Sequence, residues 1–305
     1  MTARRRTLRR ALVVVDLVLV VAAVASLLLW SPAPSSAQAT FTIHKVDDAS
    51  FTPPSRAEPF FVLLIGNDGR AGLDGIRGDA LHVVGVNPAA GSATILNIPR
   101  DTYVPIPGLG SAKINDAYKQ AGLAKQVETV AAFVGVTPSF VVETNFEGFM
   151  AMVDEMGGLQ VNVASRMFDR NSGADFQPGR VHMMGPGALS FARNRNIPNG
   201  DIARTTNQGW LLVGGLERAR EVATSPFETI RMLGILARRT RYDGVSLREL
   251  HNLVQLGLTI DPANVRNVTM PSAIGKVGAA DVVFPGAGAQ ELFADFRDDA
   301  ILQNH

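Results

Sequence analysis

The sequence predicts an α/β fold: a single layered α-β-α domain on a mixed central β-sheet, preceded by an N-terminal transmembrane helix. Short apolar runs typical of strands alternate with longer segments of helical spacing. Of the 305 residues, 46% are hydrophobic and 19% are charged, which suits one sizeable core and excludes wholesale disorder. Residues 11–30 are apolar except for Asp16, which predicts the membrane helix.

The N-terminal segment predicts an exported protein. Residues 1–10 hold five arginines and no acid, and we expect this basic tail to stay in the cytoplasm. Residues 11–30 are long enough to anchor the chain once in the plasma membrane. A cleaved signal peptide is the alternative, because residues 37–39 read Ala-Gln-Ala. The apolar run is longer than a usual signal-peptide core, which favours an uncleaved anchor.

The remainder divides into a tether and a folded domain. Residues 31–58 are rich in Pro, Ser and Ala and predict a tether, and residues 59–305 predict the extracytoplasmic domain. The expected strands are 60–65, 80–86, 93–98, 140–143, 161–163, 265–270 and 281–284. The expected helices are 124–133, 146–156, 187–195, 202–222, 226–239, 246–257 and one starting at 287. Residues 164–182 predict a polar loop.

Composition excludes several classes of function. There is no cysteine, so disulfides, thiol catalysis and cysteine-ligated metals are excluded. The five histidines form no H-E-x-x-H motif, and the serines lack a G-x-S-x-G setting. Residues 31–305 contain more acidic than basic residues, so we expect no nucleic-acid partner.

Charged residues follow or precede the predicted strands, where α/β folds build their sites. They are Asp68, Arg70, Arg77, Asp79, Arg100 and Asp101, followed later by Arg193, Arg195, Asp201, Arg204 and Gln208. Converging arginines would repel one another unless an anion with many oxygens lay between them, and guanidinium groups bind phosphate well. Two acids among them could hold Mg²⁺, so pyrophosphate with Mg²⁺ is the simplest ligand. Ordinary Arg–Asp pairs at loop ends are the alternative.

Other candidate residues have simpler interpretations. We expect His82 to be a strand residue that is packed or hydrogen-bonded locally. Five residues of the same segment are expected to belong to the core rather than to contact a ligand: Phe146, Phe149, Met150, Met152 and Val153.

Several ordered motifs over residues 60–300 resemble the LytR-CpsA-Psr family. They are FVLLIGNDGR at 61–70, RGD at 77–79, NIPRDTY at 97–103, KINDAY at 113–118, FEGF at 146–149, DEMGGLQVNV at 154–163, GALSFARNR at 187–195 and GDIAR at 200–204. The resemblance implies a membrane-anchored enzyme that moves a glycan polymer from a polyprenyl-pyrophosphate carrier onto peptidoglycan and releases polyprenyl phosphate. It also implies an apolar tunnel for the polyprenyl tail, which belongs to a membrane lipid.

The resemblance also implies roles for individual residues. Asp68 and Asp79 are the expected ligands of Mg²⁺, with Mn²⁺ as the alternative. The expected pyrophosphate-binding residues are Arg70, Arg77, Arg100, Arg193, Arg195, Arg204 and Gln208. Arg100, Asp101 and Asp201 are the expected catalytic residues. Either Asp101 or Asp201 would orient or deprotonate the acceptor hydroxyl, unless Asp101 only orients Arg100.

One departure from the family pattern leaves other functions open. The family often has arginine before the glutamine of its last motif, whereas this chain has Asn207 before Gln208. The loss of that charge is expected to weaken pyrophosphate binding. Asn207 makes an inactive protein that only binds the lipid pyrophosphate one alternative. A hydrolase that uses the same residues with water as acceptor is another. A transcriptional regulator conflicts with the predicted membrane anchor.

Overall fold

The computed structural model describes residues 41–46, 58–67, 77–223 and 240–303, with isolated positions between 224 and 239. The predicted basic tail, anchor and most of the tether lie outside the described residues, and so does most of the predicted helix at 226–239. Among the helices that the structure describes, none is long and apolar enough to cross a membrane.

Strands and helices alternate along the described chain. The strands are β1 (Phe41–Lys45), β2 (Phe60–Asn67), β3 (Gly78–Asn87), β4 (Ser92–Ile98), β5 (Tyr103–Ile106), β6 (Gly110–Lys113), β7 (Phe140–Thr144), β8 (Leu159–Val163), β9 (Met167–Asp169), β10 (Ala174–Phe176), β11 (Gly179–Met183), β12 (Thr240–Asp243), β13 (Val265–Thr269), β14 (Ser272–Val277) and β15 (Ala280–Pro285). The helices are α1 (Asp116–Val134), α2 (Phe146–Glu155), α3 (Gly185–Arg193), α4 (Gly200–Val222), α5 (Leu247–Thr259) and α6 (Ala289–Asp299).

Seven strands form a mixed central sheet in the order β12-β1-β7-β2-β3-β4-β13. β2, β3 and β4 are joined antiparallel, whereas β7 and β13 extend this unit by parallel pairing with β2 and β4. The predicted mixed sheet is therefore confirmed. Its long central strands are the apolar runs that the sequence predicts, since strands covered on both faces need few polar residues.

Helices cover both faces of the sheet. On one face, Val130 of α1 and Phe293 and Phe296 of α6 pack against Leu63 and Leu81. On the other face, α2, α3 and α4 share a second apolar cluster with β8 and β11, and α4 packs on β3, β4 and β13. Because side chains alternate along β2, Leu63 faces the first cluster while Leu64 faces the space beneath α4.

Two predicted segments differ from the structure. Residues 41–45, predicted as part of the tether, form β1, which joins the sheet between β7 and β12. Residues 164–182, predicted as a loop, contain β9 and β10 and the start of β11. β9 and β10 have three residues each, and β9 buries Asp169 while it exposes Phe168, so no apolar pattern predicts a strand there.

Candidate active site

A large cavity lies between the sheet and helices α2, α3 and α4. Its volume is about 1170 Å³. Charged and amide side chains from the ends of the central strands and the first turns of α4 line one part, including Asp79, Arg100, Asp101, Arg195, Arg204 and Gln208. Apolar side chains from farther along the same elements line the other part, including Leu64, Val142, Met152, Leu211 and Leu212. The cavity therefore has a charged end and an apolar end.

Asp201 lies at the centre of the charged end. Its Oδ1 is 3.0 Å from Nε of Arg204, 3.2 Å from Nε of Arg195 and 3.8 Å from Nε of Arg100. Asp201 and Arg204 share a face of the first turn of α4 because they are three residues apart. One carboxylate thus separates three guanidinium groups that come from different segments of the chain.

Asp79 connects this group to the sheet. Its Oδ1 is 2.8 Å from Nη1 of Arg100 and accepts a longer hydrogen bond, 3.5 Å, from Nδ2 of Asn115. Its backbone carbonyl accepts a hydrogen bond from Nη2 of Arg204. Asp79, Arg100, Arg195, Asp201 and Arg204 therefore form one connected cluster, which we call the arginine cluster.

The pKa values of the two most buried arginines in the cluster are shifted in opposite directions. Burial lowers the pKa of Arg100, but Asp79, Asp201 and Asp101 outweigh it and hold that pKa above its ordinary value. Arg204 is only 4% exposed. Its pKa is lowered, because burial and the charges of Arg100 and Arg195 outweigh the attraction of Asp201. Positive charge is thus concentrated where solvent is scarce, an arrangement that favours an anion.

The structure places the other predicted site residues around the cluster or outside the described residues. Arg77 Nε is 3.4 Å from Asp116 Oδ1, and Lys113 Nζ is 3.2 Å from Asp101 Oδ1. Gln208 Nε2 donates to the carbonyl of Ala192. Arg193 lies over the ring of Phe146, with 5.2 Å between Cζ and the ring centroid. Asp68 and Arg70 lie outside the described residues.

Some residues of the cavity were not predicted. Lys113, Asn115 and Asp116 line it, although the sequence analysis assigns them no role beyond the KINDAY motif. Phe149 packs against the second apolar cluster and Met152 is buried, as expected of core residues, and both also line the cavity together with Phe146. The helical pattern of α2 predicts which face is apolar, but it does not reveal whether that face meets protein or an open cavity.

A buried polar chain lies beneath the arginine cluster. His82 Nδ1 donates to Asn97 Oδ1 at 2.7 Å, Asn97 Nδ2 donates to Asn267 Oδ1 at 2.6 Å, and Asn267 Nδ2 donates to the carbonyl of Thr206. Burial lowers the pKa of His82 to about 4, despite the hydrogen bond to Asn97. The expectation that His82 is hydrogen-bonded locally is confirmed, and the chain ties the sheet to α4.

Asn207 does not belong to the charged end. Arg204 and Gln208 line the cavity, whereas Asn207 is absent from its lining among the described residues. The family's positive charge at this position is therefore lost at a residue that does not line the cavity.

Together these features define an α/β protein with an arginine cluster at one end of a deep cavity whose other end is apolar. The model of the LytR_cpsA_psr family matches residues 31–292, and this chain belongs to that family.

Relatives and solved structures agree with this assignment. The chain is 39% identical over 166 residues to a Bacillus cereus protein named polyisoprenyl-teichoic acid–peptidoglycan teichoic acid transferase TagU, covering 54% of each chain. The chain thus spans about half the length of the curated relatives it matches. The crystal structure of B. subtilis TagV superposes with a TM-score of 0.68 at 25% identity, covering 81% of this chain and 98% of that one. TagT bound to LIIa-WTA superposes with a TM-score of 0.66 at 22% identity, covering 84% and 96%, which shows the shared fold.

Proposed function

We propose that this protein transfers a glycan from a polyprenyl-pyrophosphate carrier onto peptidoglycan and releases polyprenyl phosphate. The observation that carries the proposal is the division of one cavity into an arginine cluster and an apolar part. A lipid pyrophosphate has the same division, with a doubly charged head and a long apolar tail. The printed name of the TagU relative describes this kind of transfer and supports the proposal.

The chemistry assigned to the site is a displacement at phosphorus. The acceptor hydroxyl oxygen bonds to the phosphorus that carries the glycan, and the bond from that phosphorus to the bridging oxygen breaks. The bridging oxygen leaves with polyprenyl phosphate. Arg100, Arg195 and Arg204 stabilise the negative charge that grows on it, because their guanidinium groups are already in place.

A carboxylate must accept the proton of the acceptor hydroxyl, and the candidates are Asp101 and Asp201. Their contacts in the structure favour one of them. Asp201 is surrounded by arginines, so we assign it to holding the cluster together. Asp101 forms its ion pair with Lys113 through Oδ1. Its second oxygen makes it the better proton acceptor, and we assign that role to Asp101.

The residues at the charged end fit a divalent cation only in part. Asp79 lines the cavity and makes both of its side-chain contacts through Oδ1. In the described part of the chain no group of three or more acidic or histidine side chains could hold a metal. Mg²⁺ commonly takes one or two carboxylates and completes its shell with phosphate oxygens and water. Asp79 and the substrate would hold it, and Mg²⁺ would then neutralise phosphate charge.

The cavity also fits the proposed place of the protein in the cell. A polyprenyl tail in the apolar part belongs to a lipid of the membrane. We propose that the basic tail and the anchor at 11–30 hold the site on the outer side of the plasma membrane, where carrier and peptidoglycan meet.

The proposal is tested with the full chain, a polyprenyl-pyrophosphoryl glycan and peptidoglycan, with and without Mg²⁺. We expect Mg²⁺-dependent release of polyprenyl phosphate together with glycan-linked peptidoglycan. Arg100→Ala should lower the rate at least about 100-fold, because it removes a preformed charge from the leaving group. Its far-ultraviolet circular dichroism should match that of the unmodified protein.

Arg180→Ala is the matched control, since Arg180 is 64% exposed and pairs with Glu217 away from the cavity. Unchanged turnover of Arg100→Ala would contradict its role. Release without linkage to peptidoglycan would identify a hydrolase, and lipid binding without release would identify a binding protein.

A further inference from the structure

A second, smaller cavity opens beside the arginine cluster. Its volume is about 490 Å³, and it is lined by Phe168, Asp169, Arg170, Asn171, Arg195 and Asn196. Asp169, Asn171 and Arg195 also line the large cavity. The two cavities are therefore adjacent, and Arg195, which contacts Asp201, stands between them.

Phe168 gives the second cavity an exposed aromatic surface. Its neighbours in β9, Met167 and Asp169, are buried, so strand alternation directs Phe168 outward. The side chain is 48% exposed although it is large and apolar. Arg166 lies 5.7 Å from the ring centroid. An aromatic ring that is half exposed beside polar groups offers an apolar face that a ligand could cover.

The hairpin that carries Phe168 is attached to the segment that carries Arg195. Asn196 Nδ2 donates to the carbonyl of Phe168 at 2.7 Å, and the backbone of Arg195 donates to Asp169. Asp169 Oδ1 also accepts from the backbone of Asn171. The ring is thus held at a fixed place relative to the arginine cluster.

A pyranose ring has the chemistry that this surface would bind. One face of such a ring presents C–H groups that suit an aromatic ring, and its rim presents hydroxyls that suit Asn, Asp and Arg side chains. In a polyprenyl-pyrophosphate glycan the first sugar is bonded to phosphate. Arg195 lines both cavities, so a sugar bonded to a phosphate at the cluster would come within reach of the second cavity.

We propose that the second cavity is a subsite for a pyranose ring of the carrier-linked glycan, with Phe168 as its stacking surface. This inference rests on the proposed function, because it takes the pyrophosphate to lie at the arginine cluster. It makes Phe168 a residue that distinguishes a glycosylated carrier from a bare one.

The test compares two probes bound to the full chain: a polyprenyl pyrophosphate, and the same lipid carrying one N-acetylglucosamine. We expect the glycosylated probe to bind about tenfold more tightly. Phe168→Ala should reduce this ratio towards one and leave the affinity for the bare lipid unchanged. Phe168→Trp should keep the ratio. Ile274→Ala is the control, because Ile274 is another exposed apolar residue, 70% exposed, on β14.

Each result separates the subsite from the proposed function. Equal binding of both probes by the unmodified protein, or an equal loss of both in Phe168→Ala, would contradict the subsite and leave the proposed function standing. A change confined to the KM of the peptidoglycan acceptor would also contradict it, since the ring would then serve the acceptor. Failure of the unmodified protein to bind the bare lipid would contradict the proposed function and the subsite with it.

Discussion

Asp201 shares one carboxylate oxygen among Arg100, Arg195 and Arg204. Like charges at these separations repel, and their repulsion grows where water is excluded. In the free protein the carboxylate therefore offsets the repulsion among the three guanidinium groups, as a bound phosphate would in a complex. An anion that enters the cluster competes with Asp201 for the same guanidinium groups.

Asp201→Asn tests this competition. The variant should lose roughly 1–3 kcal/mol of unfolding free energy, because the amide carries no negative charge to offset the three guanidinium groups. Added pyrophosphate should then raise its melting temperature more than that of the unmodified protein, because the anion meets no competing carboxylate. Asp175→Asn, which changes an exposed ion pair with Arg166, is the control. A smaller pyrophosphate shift in Asp201→Asn would contradict the competition.

His82 gives the protein a specific sensitivity to acid. Its pKa in the folded protein is about 4, below the ordinary value of 6.5, because burial disfavours the charged ring. As the pH falls below 6.5, the unfolded chain takes up this proton first. Stability is therefore complete above pH 6.5 and declines towards pH 4, by roughly 3 kcal/mol for this group.

Denaturation by urea at pH 7 and pH 4.5 measures this decline. His82→Asn should lose less stability between the two values than the unmodified protein, because its amide replaces the Nδ1 donor and does not titrate. An equal loss in both proteins would show that other groups cause the acid sensitivity.

At the scale of elements, α4 depends on its close contact with the sheet. Asn267 of β13 donates to the Thr206 carbonyl, and Gly209 packs directly on the same polar chain. A Cβ atom at Gly209 would lie 2.0 Å from Asn267 Oδ1 and 2.7 Å from Asn97 Oδ1. The absence of a side chain at Gly209 therefore allows α4, with Arg204 and Gln208, to approach the sheet.

Gly209→Ala should consequently destabilise the protein by about 1–3 kcal/mol and reduce pyrophosphate binding, since the helix must move outward. Gly215→Ala on the same helix is the matched control. A Cβ atom there meets nothing within 4 Å, so the variant should gain about 0.5–1 kcal/mol from its better helix propensity. Urea unfolding measures the unfolding free energy of both variants against that of the unmodified protein. A Gly209→Ala variant as stable as the unmodified protein would contradict the close contact.

For the whole molecule, the sequence predicts the long elements well and the short ones poorly. The strand expected at 80–86 is β3, which buries most of a continuous apolar run, and the helix expected at 202–222 is α4. β1 is missed because its partners are distant in the chain, and β9 is missed because three residues are too few to show a pattern. β1 pairs with residues 140–144 and 240–243, which local patterns do not identify.

The sequence likewise predicts part of the candidate site and misses the rest. Charge at strand ends predicts that Asp79, Arg100, Asp201 and Arg204 lie near one another, and they do. Spacing alone does not predict the ion pair between Asp116 and Arg77, or the contact of the Arg193 guanidinium with the Phe146 ring. The chain from His82 to Thr206 is also missed, because Asn97 and Asn267 are 170 residues apart.

Helix α4 lines both ends of the large cavity, from Arg204 at the charged end to Gly215 in the apolar part. These positions are eleven residues apart, which corresponds to about 16 Å along the helix axis. A compact anion such as free pyrophosphate can satisfy the arginines but leaves this length unfilled. The cavity therefore selects by length as well as by charge: affinity should grow as the apolar chain of the ligand lengthens, and level off once about 16 Å is filled.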